Sequence, residues 1–221
     1  MENITWFGHA SFSFVDQQSG GRIYYIDPFR LPNDISTGTL DKADIIFVTH
    51  AHPDHLSVPD ISILLKEDTV IVATEDSLET LQISQEKFPV TPNNEYTVKG
   101  FSFKTVPAYN INADRPHKKE YGWVGYIFSV NGLKIYHAGD TDYIPEMDEL
   151  KNENLDIAFL PIGGTYVMTP EEAIEAANAI SAKKTIPMHY KMLLGEKTKE
   201  GEELFKNCVT NSEVLFLEEF K

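Results

Sequence analysis

Asp44-Ile45-Ile46-Phe47-Val48-Thr49 runs without a break into His50-Ala51-His52-Pro53-Asp54-His55. The first six residues are a short apolar run, the pattern of a strand buried on both faces. The next six carry four side chains able to bind a metal. Alternate residues of extended chain point the same way, so His50 and His52 are placed to grip one cation. Asp54 and His55, one turn further on, are placed to face a second beside it. Paired cations in hydrolases sit ~3.5–4 Å apart, which this spacing suits. Imidazole favours zinc, iron, nickel and copper, and carboxylate adds manganese and magnesium. Four polar residues on an ordinary surface loop would explain neither their density nor their place at a strand end.

Working outward, residues 4–8, 11–16 and 22–27 read as strands, with a turn at 17–21. Residues 29–41 read as a loop containing Pro32, Asn33 and Gly38. Beyond the histidines, a helix is expected over 61–66, opened by Ser57 or Ser62 with Pro59 in its first turn. A strand over 70–73 and a helix over 75–84 follow. The middle returns to strands at 95–98, 101–106, 123–130 and 133–137. Asn131-Gly132, between the last two, is the strongest hairpin signal in the chain. The long polar loop 107–122 has a length often associated with function. The last third alternates: helix 144–151, strand 156–161, helix 170–180, strand 185–188, helix 199–207, strand 213–217. Two blocks emerge, each with hairpin strands first and strand–helix alternation later. This pattern predicts one α/β domain over residues 1–221, a four-layered αββα sandwich with mixed sheets inside and helices outside.

Three further motifs stand at turns or strand ends: Gly8-His9-Ala10-Ser11-Phe12, His137-Ala138-Gly139-Asp140-Thr141 and Pro187-Met188-His189-Tyr190. Together with His50-x-His52-x-Asp54-His55 they resemble the metallo-β-lactamase superfamily along nearly the whole chain. The resemblance is closest to small hydrolases related to ascorbate-6-phosphate lactonase and to the phospholipase D that cleaves N-acyl phosphatidylethanolamine. It implies the αββα fold with a binuclear metal site at one edge. It also implies that Asp140 bridges the two metals and that His189 binds the second. The first metal then needs a third protein ligand beside His50 and His52, and His117 and His137 are the candidates. In the phospholipase-like relatives a histidine follows a Pro-Ala stretch; here Val106-Pro107-Ala108-Tyr109 leads to Asn110, a departure from that pattern. His117, in the same loop, is assigned the ligand role. His137, Asn110 and His9 are assigned places behind the ligands or beside the substrate, with Tyr166 as a possible donor to an anionic substrate. Asp27, Tyr109, Tyr190 and Gly163-Gly164 are further residues able to shape the pocket.

Lys plus Arg number 19 and Asp plus Glu 34, giving a formal charge of −15. Such a chain repels a phosphate backbone unless a basic groove relieves it, and no Lys/Arg block supplies one. A nuclease of the same fold is therefore the weaker alternative. A flavin-linked di-iron oxygen reductase would place Glu where His52 stands. A non-catalytic metal-binding module is the other alternative; structural sites are closed, whereas this mixed carboxylate–imidazole set on strand-end loops reads as open. The single cysteine, Cys208, excludes an intrachain disulfide and accords with a reducing compartment. No secretory leader or membrane-spanning run is read, so a cytoplasmic protein is expected, with homo-oligomers open. The expected activity is hydrolysis of an ester, lactone or phosphodiester bond in a small molecule. Two divalent ions, zinc first and then manganese, iron or nickel, would share a water and deliver a bridging hydroxide, with Asp54 handling the proton.

Overall fold

The computed structural model describes residues 3–32 and 40–220. Part of the predicted loop, including Asn33 and Gly38, lies outside the described residues. The chain forms two compact units, residues 1–90 with 218–221, and residues 91–217.

The first unit holds a six-stranded sheet in simple sequence order: β1 (Ile4–Gly8), β2 (Ser11–Asp16), β3 (Arg22–Ile26), β4 (Ile45–Phe47), β5 (Val70–Ala73) and β6 (Glu86–Pro89). The first three strands are antiparallel hairpins, and β3 to β6 pair in parallel. Side chains alternate across the sheet. Tyr25, Ile46 and Ile71 therefore pack on one face with Ile61 and Leu64 of helix α1 (Val58–Leu64) and Leu78 of helix α2 (Glu75–Thr80). Tyr24, Ile26, Ile45 and Phe47, on the opposite face, are equally buried. Burial on both faces explains why β4 reads as an unbroken apolar run. Helix α1 starts earlier than predicted, with Pro59 in its first turn, and the Ser57 hydroxyl donates to Asp60 at 2.5 Å instead of capping the backbone.

The second unit repeats the plan with seven strands: β7 (Glu95–Val98), β8 (Phe101–Pro107), β9 (Val124–Val130), β10 (Leu133–His137), β11 (Ile157–Pro161), β12 (Lys184–Met188) and β13 (Glu213–Val214). β7 to β10 are antiparallel, and β10 to β13 parallel. Asn131 and Gly132 both have positive φ, 51° and 78°, and join β9 to β10 with Val130 opposite Leu133. That is the two-residue turn whose twist suits a hairpin. Helix α3 (Pro170–Ile180) begins in a capping box: Thr169 N–H donates to Glu172 at 2.7 Å, and Glu172 N–H donates to the Thr169 hydroxyl at 3.2 Å. It packs against helix α5 (Thr198–Cys208), while the short helix α4 (Lys191–Leu194) follows β12.

Other predictions change as well: the strand expected over 213–217 is only Glu213–Val214. Residues 145–153 form a 3₁₀ helix rather than an α-helix, in keeping with buried Met147 and Leu150 spaced three apart. The predicted helix 75–84 stops at Thr80, and the chain enters the unpredicted edge strand β6.

Candidate metal centre

Candidate ligands in both units lie just beyond the carboxyl ends of strands, where open α/β sheets place their functional residues. In the first unit Asp27 follows β3 with φ of 46°, in the left-handed region non-glycine residues seldom adopt. Its buried carboxylate accepts from the Thr49 backbone N–H at 2.8 Å, the Thr49 hydroxyl at 2.7 Å and His55 Nδ1 at 2.7 Å. The Thr49 hydroxyl has one proton, and Asp27 receives it. Its oxygen therefore accepts from His50 Nδ1 at 2.9 Å. His50 and His55 thus both carry a proton on Nδ1 and offer the Nε2 lone pair, the tautomer of a histidine that ligates through Nε2.

His50 Nε2 lies 3.1 Å from His52 Nδ1. Two imidazole nitrogens on one tetrahedral zinc stand about 3.3 Å apart, so this pair suits a shared cation. The His52 carbonyl accepts from the N–H groups of His55 and Leu56 at 3.0 and 2.8 Å, which closes the turn presenting Asp54 and His55. One ligand atom from each of His9, Asp54 and His55 lies within 4.8 Å of the others. His9 Nε2 reaches Asp54 Oδ2 at 2.9 Å. His9 also has left-handed φ, 51°, and the Trp6 indole donates to its carbonyl at 3.1 Å.

In the second unit Asp140 is the centre. Its Oδ2 lies 3.3 Å from His117 Nε2 and 3.2 Å from His189 Nε2, with all three side chains buried. His189 follows β12 with φ of 55°. The chain after β11 passes so near that a Cβ on Gly163 would stand 2.4 Å from the His189 carbonyl oxygen. The close approach at this glycine is to the backbone of His189. His137 ends β10, where its Nδ1 accepts from the Gly139 N–H at 3.3 Å and shapes the turn carrying Asp140.

His117 lies in the loop 107–122, which is tied down at several points. Asn110 Oδ1 meets the His117 N–H at 2.8 Å and Nδ1 at 2.9 Å. Asp142 pairs with Arg115 at 2.5 Å, and Arg115 with Glu172 at 2.9 Å. Tyr109 donates to Glu146 at 2.9 Å, and Lys119 pairs with the same carboxylate at 2.9 Å. Burial, followed by the neighbouring Glu146, raises the Tyr109 hydroxyl above its ordinary pKa although Lys119 opposes the shift. His117 is 0% exposed, despite its basic neighbours in sequence. Tyr166 takes part through its carbonyl, 3.1 Å from His117 Nδ1, while 48% of the residue is exposed.

The structure thus joins His50 with His52, His9 with Asp54, and Asp140 with His117 and His189. Imidazole nitrogens and carboxylate oxygens in this mixture fit divalent zinc, manganese, iron or nickel. The sequence reading missed Thr49, Arg115 and Asp142. Thr49 had a signal, its place beside His50. Asp142 stands two residues beyond Asp140, and nothing local marks it.

Residues 3–189 match the family model described as a beta-lactamase superfamily domain. A UPF0173 metal-dependent hydrolase of Methanoculleus marisnigri is 36% identical over 192 residues, 85% of this chain and 80% of the relative. Another, from Thermococcus onnurineus, is 34% identical over 198 residues, covering 86% and 85%. A solved structure from Parabacteroides distasonis, provisionally described as a metal-dependent hydrolase, has a TM-score of 0.81 at 34% identity, over 99% of this chain and 93% of that one. The metallo hydrolase Igni18 of Ignicoccus hospitalis shares the fold, with a TM-score of 0.79 at 22% identity, over 99% and 95%. With the metallo-β-lactamase fold that its sequence resembles, the chain belongs to the UPF0173 family of metal-dependent hydrolases within the metallo-β-lactamase superfamily.

Proposed function

We propose that this protein hydrolyses an ester, lactone or phosphodiester bond of a small molecule at a centre of two divalent metal ions. His50, His52, Asp54, His55, His117, Asp140 and His189 hold the ions, zinc first, with manganese, iron or nickel as alternatives. The observation that carries this reading is Asp140 Oδ2, which lies 3.3 and 3.2 Å from the Nε2 atoms of His117 and His189. A carboxylate set against two ring nitrogens suits a shared ligand. The family match runs through both compact units, which supports reading residues 1–221 as one catalytic domain.

The bound ions supply a Lewis acid for the substrate oxygen and lower the pKa of water toward ~7. The protein's own groups do the rest. Asp27 and Thr49 hold His50 and His55 in the Nε2-ligating tautomer. Asp54 Oδ2 takes the proton of the attacking water, with His9 Nε2 as its hydrogen-bond partner at 2.9 Å. The hydroxyl goes to the carbonyl carbon or phosphorus, the bond to the leaving oxygen breaks, and that oxygen receives the proton. No protein nucleophile is required. The charge of −15 supports a small substrate over nucleic acid. The lone Cys208 supports a reducing, cytoplasmic setting.

The test is elemental analysis of metal-replete wild type and His117→Ala, followed by a panel of lactones, esters and phosphodiesters. Two equivalents in wild type, about one in the variant and metal-dependent turnover are expected. Two equivalents in both would remove His117 from the ligand set. No metal in either would overturn the reading.

A further inference from the structure

We infer that Asp142 is a positioning residue which, through Asn110, fixes the ring tautomer of His117; this rests on His117 being a metal ligand, as proposed above. The Asp142 side chain is 6% exposed. Its Oδ1 accepts from Asn110 Nδ2 at 2.9 Å and from Arg115 at 2.5 Å. Its Oδ2 accepts from the backbone N–H groups of Ile111 and Asn112, each at 2.9 Å. One buried carboxylate thus gathers the start of the loop that ends in His117.

The proton positions follow from who can donate. A carboxylate only accepts, so the Asn110 atom facing Asp142 is the amide nitrogen. The same nitrogen donates to the Tyr166 carbonyl at 3.1 Å. Both amide protons are then engaged, and the amide oxygen faces His117. There it accepts from the His117 backbone N–H at 2.8 Å, a group that can only donate. The orientation of Asn110 is therefore fixed from both ends.

His117 Nδ1 lies 2.9 Å from this oxygen and 3.1 Å from the Tyr166 carbonyl. Both neighbours accept, so Nδ1 carries the proton. In the neutral ring Nε2 keeps its lone pair, aimed at Asp140 Oδ2 across 3.3 Å. Two acceptors brought that close are arranged for a cation between them. The Asn110 departure from the Pro-Ala-His pattern thus acquires a role: the asparagine replaces a ligand in sequence and orients the one that took over, seven residues later. Asp27 and Thr49 do the same for His50 and His55 with an unrelated set of atoms.

The experiment labels the histidine rings with ¹⁵N and reads proton attachment from long-range proton–nitrogen spectra, metal-free and with zinc, beside zinc titrations. Wild type is expected to show His117 protonated at Nδ1 in both states, since this holds for the neutral and the charged ring. Asn110→Ala should lower zinc affinity about 10–100-fold at one site, the usual cost of removing a partner behind a ligand, and free the ring to protonate at Nε2. Asn110→Asp still accepts from Nδ1 but cannot donate to Asp142. It should keep the Nδ1–H form and bind zinc more tightly than Asn110→Ala. Asp142→Asn should behave like Asn110→Ala; if it fails to fold, the two Asn110 variants decide. A His117 Nδ1 without a proton in wild type, or wild-type affinity in Asn110→Ala, overturns the proposal. Wild type that takes up no zinc while Nδ1 stays protonated would sink the metal reading and leave the relay standing.

Discussion

His55 Nδ1 donates to Asp27 Oδ2 across 2.7 Å, with both side chains fully shielded from solvent. Asp27→Asn keeps the volume but turns one acceptor into a donor facing N–H groups. The variant should lose about 10–100-fold in metal affinity and about 1–3 kcal/mol of stability from the unsatisfied buried donor. Chelator competition and urea unfolding measure the two. Unchanged affinity would deny Asp27 its part in orienting His55.

Metal should stabilise the fold by mass action. At a free concentration one hundred times Kd, one site adds about 2.7 kcal/mol, so Tm rises with zinc and falls when a chelator is added. His50→Ala should blunt the rise. A variant that shifted as far as wild type would place the stabilising ion elsewhere.

Gly163→Ala puts a methyl 2.4 Å from the His189 carbonyl oxygen and 2.5 Å from Leu193 Cδ1. The backbone oxygen cannot swing aside as a side chain could. We expect a loss of about 1–3 kcal/mol together with weaker metal binding, because the displaced residue is His189. Wild-type behaviour in both measurements would show that the approach is loose.

Acid should weaken the second unit through two carboxylates. Lys183, then the Lys134 backbone N–H, holds the Asp156 carboxyl below its ordinary pKa. Lys134, with Lys104 behind it, does the same for Glu153. A lowered folded pKa means that the unfolded chain binds protons first as pH falls. The contribution is thus complete above the unfolded values of about 3.9 and 4.3 and is lost as pH drops through the folded ones. Unfolding measured from pH 7 to 3 should show a shallower acid limb in Asp156→Asn. Salt should shrink the effect, because these pairs are partly exposed. An identical limb in the variant would remove Asp156 from the account.

The sequence disclosed the strands whose both faces are buried, and the turn at Asn131-Gly132, because local pattern and final environment agree there. It hid β6. Glu86-Lys87-Phe88-Pro89 has two charges and a proline, tolerable in a strand only because its outer edge pairs with nothing in the sheet order. The histidine-rich turn was legible because its four candidate ligands fall within six consecutive residues. Asp142 and Arg115 were not, since a buried ion pair is defined by what folds over it. His117 was singled out in the sequence as a ligand candidate, yet its burial beside Lys118 and Lys119 depends on anchors at Asp142 and Glu146 that lie more than twenty residues away.

The left-handed backbone at His9, Asp27 and His189 bears on how inactive forms of this enzyme should be made. Alanine at these positions would remove a functional group and oppose the local φ at once, so a dead variant would mix lost chemistry with a loosened turn. Asparagine accepts that conformation readily, and there it is the cleaner knockout. The same preference limits natural drift: β-branched residues are penalised at all three points before any question of catalysis arises.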